Sequence, residues 1–185
     1  MTGKSKKNHA DPASTDHDST APLILTLQLD KVSSQYFNDL RQQYFPQALN
    51  FLPAHVTLFH YLPGEEIDAA TTMLEQIASN YGLIDICVSG LRSLGRGVAY
   101  DLQSPQLSAL RSHLAHLWSY WLTPQDRQRF KPHITVQNKV HSDEARKTLV
   151  LLTAAFTPRV ISGVGLDLWR YLGGPWEHLR EFLFP

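Results

Sequence analysis

From Pro22 to Asp30 the chain alternates, with Leu23, Leu25, Leu27 and Leu29 at every second position. That period places the four leucines on one face of a strand. The period then changes. Tyr36, Phe37, Leu40 and Tyr44 recur at helical spacing behind Ser33 or Ser34, either of which can cap a helix. This helix runs to about Phe45 and Pro46 stops it. The segment PAHVTLFHYLP is a strand bounded by prolines at 53 and 63. A helix follows over 65–80, with acids in its first turn and Gly82 past its end, the polarity the helix dipole favours. Residues 83–95 read as a strand bent at Gly90, and 97–102 as another. Ser104–Pro105 supplies a cap followed by proline at the first helical position, so a helix starts there and carries Leu107, Leu110, Leu114, Leu117, Trp118 and Trp121. HITVQNKV, from His133, is a strand. Ser142 caps a helix that ends before Pro158, and two strands around a Gly-Gly-Pro turn at 173–175 close the chain as a hairpin.

Mixed strands and helices with a terminal antiparallel hairpin give an α+β class. The order also repeats. A shift of 78 positions, from His55 to His133, lays helix 65–80 on helix 143–156 and strand 82–91 on strand 160–171. It lays strand 22–30 near 97–102 and helix 33–45 on helix 105–122. Strand, helix, His-x-Thr strand, helix, strand thus occurs twice. This predicts a single bilobal domain over 22–185, built from two modules related by a pseudo-twofold axis.

Composition narrows the function. The 185 residues hold 17 basic and 17 acidic side chains, a balance unlike that of proteins that coat duplex DNA. A small nucleotide or an RNA end needs only a few local cations. Cys87 is the only cysteine, which leaves no internal disulfide and no cysteine-based zinc site. Residues 1–21 are polar, include Lys4, Lys6 and Lys7, and read as a disordered tail. No signal peptide or membrane span is recognisable, so a cytoplasmic monomer with no membrane partner is expected.

The chemistry lies in the repeated motif. In a strand, residues i and i+2 share a face, so His55 projects with Thr57 and His133 with Thr135, while Val56, Leu58, Ile134 and Val136 face a core. Two modules can set these four polar side chains across a shared cleft. Two imidazoles suit in-line displacement at a phosphodiester. One takes a proton from the attacking hydroxyl or water, and the other delivers one to the leaving oxygen. The threonine hydroxyls can donate to the non-bridging oxygens. No metal or other cofactor is required by this scheme.

AHVTLF and PHITVQ, half a chain apart, resemble the two signature tetrapeptides of the 2H phosphoesterase superfamily, in the variety similar to RNA 2′,3′-cyclic phosphodiesterases, also called 2′-5′ RNA ligases. The resemblance covers roughly 22–185. It implies a bilobal fold with two antiparallel sheets facing across a central groove and helices outside. It implies His55, Thr57, His133 and Thr135 as the catalytic set, and RNA 3′ ends or cyclic nucleotides as partners. The expected reaction opens a 2′,3′-cyclic phosphate to a 2′-phosphate, with 2′-5′ ligation as the reverse. His55 is expected as the acid and His133 as the base, although the symmetry leaves the opposite assignment open.

Other candidates are less specific. Arg129 and Lys131 lead into the second motif, and Arg92, Arg96 and Arg170 lie near strand ends. Each can bind a phosphate, and each is equally an ordinary surface cation or ion-pair partner. Tyr100 can stack a base or pack between lobes. His60 falls on the face opposite His55 if its strand is regular, so it is set aside. His113 and His116, at i and i+3 on a helix, lack a third ligand. Related activities on 2′-5′ oligonucleotides or ADP-ribose cyclic phosphate remain open, as does a module that binds an RNA end without turning it over.

Overall fold

A computed structural model describes residues 20–185. The tail expected over 1–21 therefore lies outside the described residues, apart from its last two. The elements are β1 (Leu23–Leu29), α1 (Lys31–Tyr44), β2 (Val56–Leu62), α2 (Ile67–Ala78), β3 (Ile84–Ser93), β4 (Val98–Gln103), α3 (Pro105–Leu117), β5 (His133–Gln137), α4 (Ser142–Ala154), β6 (Arg159–Tyr171) and β7 (Trp176–Leu183). The class is α+β, as expected, with every strand pair antiparallel.

The two expected sheets are two halves of one seven-stranded sheet in the order β2-β1-β6-β3-β4-β5, with β7 also paired to β6. The join is β6, thirteen residues long. Its first part pairs with β3 from Val88↔Arg159 to Ile84↔Gly163, and its second part with β7. On its other edge β1 runs from Leu29↔Gly163 to Leu23↔Arg170. Alternation in β1 suggested one buried face, but Ile24 and Thr26 are buried as well as the leucines. The strand lies inside the sheet between β2 and β6, so both its faces are covered. Thr26 tolerates this because its hydroxyl accepts from Trp169 Nε1 at 2.9 Å. Leu23, Leu25 and Leu27 are fully buried, at about 1.5–3 kcal/mol each, which fixes β1 as the centre of its half.

Several boundaries differ from the sequence reading for local reasons. Asp30, not Ser33 or Ser34, caps α1, its carboxylate accepting from Ser33 N at 3.0 Å and from the Ser33 hydroxyl at 2.5 Å. His141 rather than Ser142 precedes α4 as its cap. α3 ends at Leu117, five residues short of the expected limit. Ser104 caps α3 as expected, accepting from Leu107 N at 3.2 Å.

The helices cross between halves. α1 follows β1 yet packs on β5, and its Phe37 meets Tyr100 of β4 edge-on at 5.3 Å. α3 follows β4, yet beyond its end Trp118 packs on Phe59 of β2 at 5.1 Å. Arg41 of α1 donates to Thr135 O at 2.8 Å, and Arg111 of α3 donates to Leu58 O at 2.6 Å. Both arginines are buried. Each motif strand is thereby braced by a guanidinium from a helix of the other half. No helix among the described residues is long and apolar enough to cross a membrane.

Candidate active site

The two motif strands, β2 and β5, are the first and last in the sheet order. They share no ladder, but the sheet curls until their Cα atoms come within 8 Å. The side chains that alternation points away from the core line two cavities at these edges. Val56, Leu58, Ile134 and Val136 are buried, while His55, Thr57, His133 and Thr135 are partly open.

The histidines are held alike. Nδ1 of His55 lies 2.8 Å from Pro53 O, and Nδ1 of His133 lies 2.9 Å from Lys131 O, two residues back in both cases. A carbonyl oxygen only accepts, so each Nδ1 carries a proton and donates it. Nε2 is then the nitrogen left for proton transfer on each ring. The β2 and β5 threonines complete a crossed pattern. His55 and Thr135 wall one cavity of about 400 Å³, and Thr57 and His133 wall another of about 290 Å³. Each imidazole shares its space with the hydroxyl of the other motif.

Burial dominates the electrostatics. It pushes the His55 pKa down to about 4, with the Arg41 and His133 charges adding to the fall and the Pro53 carbonyl opposing it. Burial also lowers His133, assisted by Arg92 and His60 and opposed by the Lys131 carbonyl and Asp101. The first cavity continues past His55 into an aromatic wall of Phe45, Phe51, Tyr171 and Trp176, with Lys139 at its rim. The Trp176 ring lies 5.2 Å from that of His55.

β2 is not regular. Phe59 pairs with Leu25 and Thr57 with Thr26, so Leu58 is an extra residue on β2. Leu58 and Phe59 are both buried, His60 and Tyr61 are both exposed, and a second register shift before Leu62 returns the strand to the core. This corrects the expectation for His60, which the bulge turns into the same cavity as Thr57 and His133. Its Nδ1 is 3.1 Å from Asp126 Oδ1. Asp126 is buried and also accepts from the backbone N–H groups of His60 and Tyr61 at 2.9 and 3.0 Å. Burial alone would raise this carboxyl, but the bonds from His60 and Tyr61 outweigh it and hold its pKa below the usual value. Nothing in the sequence links Asp126 to His60 across 66 positions. The break in alternation at Leu58–Phe59 was the one available hint.

Of the other sequence candidates, Arg92, Arg129 and Lys131 line the cavity beside His133. Arg92 is ion-paired with Asp101. Two candidates are corrected. Tyr100 is buried between Phe37 and Phe156, so its ring has no face left for a base. Arg170 pairs with Glu177 at 3.1 Å and is on the wall of neither motif cavity. Arg96 donates to Val140 O and serves the turn before β4. No group of three metal-ligating side chains occurs among the described residues, so His113 and His116 gain no third ligand.

The sequence model of the 2′-5′ RNA ligase superfamily matches residues 29–175, a span that contains both motifs. The chain belongs to that superfamily. Membership agrees with the 2H phosphoesterase resemblance of the paired motifs and supports a phosphoesterase in general terms. TT0787 of Thermus thermophilus shares the fold at a TM-score of 0.61 and 16% identity, over 88% of this chain and 97% of its own. A solved phosphoesterase matches at 0.57 and 17%, over 89% and 98%. E. coli LigT, solved with NADP+, matches at 0.56 and 17%, over 90% and 98%. No curated protein sequence matches this one.

Proposed function

We propose that this superfamily member is a phosphoesterase that opens 2′,3′-cyclic phosphates at RNA or nucleotide ends and leaves a 2′-phosphate. The crossed pairing of His55 with Thr135 and of His133 with Thr57 carries this reading. One phosphorus between the edges of β2 and β5 meets an imidazole on each side.

His133 takes a proton from water through Nε2 as the oxygen attacks phosphorus. His55, as imidazolium, gives its Nε2 proton to the departing 3′ oxygen. The bond from water oxygen to phosphorus forms as the bond to the 3′ oxygen breaks. The proton gained by His133 and lost by His55 leaves the pair unchanged in total charge. Burial holds His55 mostly neutral, so the form with its proton in place is a minor one that the negative charge of the bound phosphate must stabilise. The threonine hydroxyls donate to the non-bridging oxygens, where negative charge builds. No step in this scheme calls on a metal ion. An RNA 5′-hydroxyl in place of water, with the same base and the same acid, gives 2′-5′ ligation. Water is far more abundant, so hydrolysis prevails.

LigT, whose fold this chain shares, was solved with a nucleotide bound, consistent with a nucleotide-sized substrate here. The test is incubation with each 2′,3′-cyclic nucleotide in EDTA, followed by identification of the product. A 2′-monophosphate is expected. A 3′-monophosphate, or loss of activity on chelation, would contradict the scheme.

A further inference from the structure

The cleft continues beyond the four motif side chains, and its two ends differ. On one side of His55 the wall is aromatic, whereas past His133 it carries His60, Arg129, Lys131 and Arg92. Arg92, Arg129 and Lys131 also line an adjoining cavity of about 560 Å³, so the cationic surface extends outward from His133. Arg92 is matched by Asp101. Among the described residues neither Arg129 nor Lys131 has an ion-pair partner.

His60 is the fixed point of this end. Its ring is about half exposed, while the Asp126 side chain behind it is only 1% exposed. Three contacts hold that carboxylate against the edge of β2: the His60 and Tyr61 N–H groups and His60 Nδ1. Arg111 pins the same residue from behind through Asp126 O at 2.5 Å. The ring is therefore oriented by a buried anion, with Nδ1 committed and Nε2 available to the cavity. A surface histidine with no task has no need of a buried carboxylate, a bulge and a buried arginine to aim it.

We propose that His60, Arg129 and Lys131 form a second phosphate subsite, which receives the phosphodiester next to the reacting phosphate in an oligonucleotide. The inference rests on the phosphoesterase reading and narrows its substrate to RNA ends of two or more nucleotides. His60 Nε2 faces a non-bridging oxygen, and the Arg129 and Lys131 side chains supply charge-assisted contacts. Gln125 and Gln128 line the same cavity and add neutral donors.

The test compares KM for a 2′,3′-cyclic mononucleotide, the same nucleotide with a 5′-phosphate, and a dinucleotide ending in the cyclic phosphate. Wild type should show a KM about 10-fold lower for the dinucleotide than for the plain mononucleotide. His60→Gln and Arg129→Gln should each shrink that ratio by about 3- to 10-fold, with kcat changed less than KM. Both variants should melt near wild type by circular dichroism. Raised salt should erode the dinucleotide advantage selectively. If the 5′-phosphorylated mononucleotide gains as much as the dinucleotide, the subsite takes a terminal phosphate and the RNA assignment is overturned. A wild-type ratio near one, or variants that weaken all three substrates equally, overturns the subsite itself. Should wild type turn over none of them, the phosphoesterase reading fails. Equilibrium binding of a dinucleotide 3′-phosphate against a mononucleotide 3′-phosphate then decides the subsite by the same ratio.

Discussion

Arg111 of α3 donates through Nε to the carbonyl oxygen of Leu58, the extra residue of the β2 bulge, at 2.6 Å. The same guanidinium reaches Asp126 O and lies over the Phe59 ring at 3.7 Å. One buried cation therefore fixes the bulge, the loop behind it and the strand that carries Thr57. Arg41 does the like for Thr135, with its guanidinium over Phe45 at 4.3 Å and its pKa pushed down by burial to about 10. Arg111→Met leaves two carbonyl oxygens without their donor. It should cost about 2–4 kcal/mol in the denaturant midpoint analysis. Turnover should fall by more than the folded fraction does, because Thr57 and His60 both lose their support.

The histidines give a pH dependence of definite sign. In the folded chain burial lowers His55 to about 4 and lowers His133 as well, so both rings are neutral above pH 6.5 and a form with one imidazolium gains population only as pH falls below that. The kcat/KM profile for cyclic-phosphate opening should therefore be bell-shaped and peak on the acid side of pH 6.5. Stability follows the same groups. Between about pH 4 and 6.5 the unfolded chain binds a proton at His55 that the folded chain refuses, so folding stability falls as pH falls through that window. His55→Gln should flatten this slope by an amount on the order of 2 kcal/mol, measured by urea unfolding at several pH values.

Gly97 tests the brace between β4 and β5. A Cβ there would lie 2.0 Å from Gln137 O and 2.7 Å from the Asn138 Cα, both backbone atoms. Gly97→Ala must push the end of β5 away. A loss of about 1–3 kcal/mol is expected, with reduced activity from displacement of Thr135 two residues upstream. Gly173, at φ 84 in the β6–β7 turn, is a position where the backbone itself favours glycine.

The threonine hydroxyls separate binding from shape. Thr57→Val and Thr135→Val keep the volume and remove the donor. Each should lower kcat by about 10- to 100-fold with little change in melting temperature, and serine should restore much of it. Equal loss in the serine variants would assign the threonines to packing.

Much of this was legible in the sequence because it depends on period and spacing. Alternation in β1, the prolines around β2 and the Ser104–Pro105 cap are local signals, and the structure follows them. The 78-residue offset singles out both motifs without any coordinates. What could not be read depends on contacts between distant segments. Asp30 outcompetes nearby serines as a cap because it also accepts from Ser162 N at 3.1 Å, on β6. Tyr100 is covered by Phe37 of a helix from the other half, which no local pattern announces. His60 differs from the expectation because the extra residue at Leu58 reverses the side chains just after it, until a second register shift returns Leu62 to the core.

The most direct measurement is the rate of cyclic-phosphate opening, in EDTA, for wild type, His55→Ala, His133→Ala and the double variant. Imidazoles that act together on one phosphorus predict a loss of about 100-fold or more in each single variant, and little further loss in the double. Full activity in either single variant, or losses that multiply in the double, would contradict a shared site.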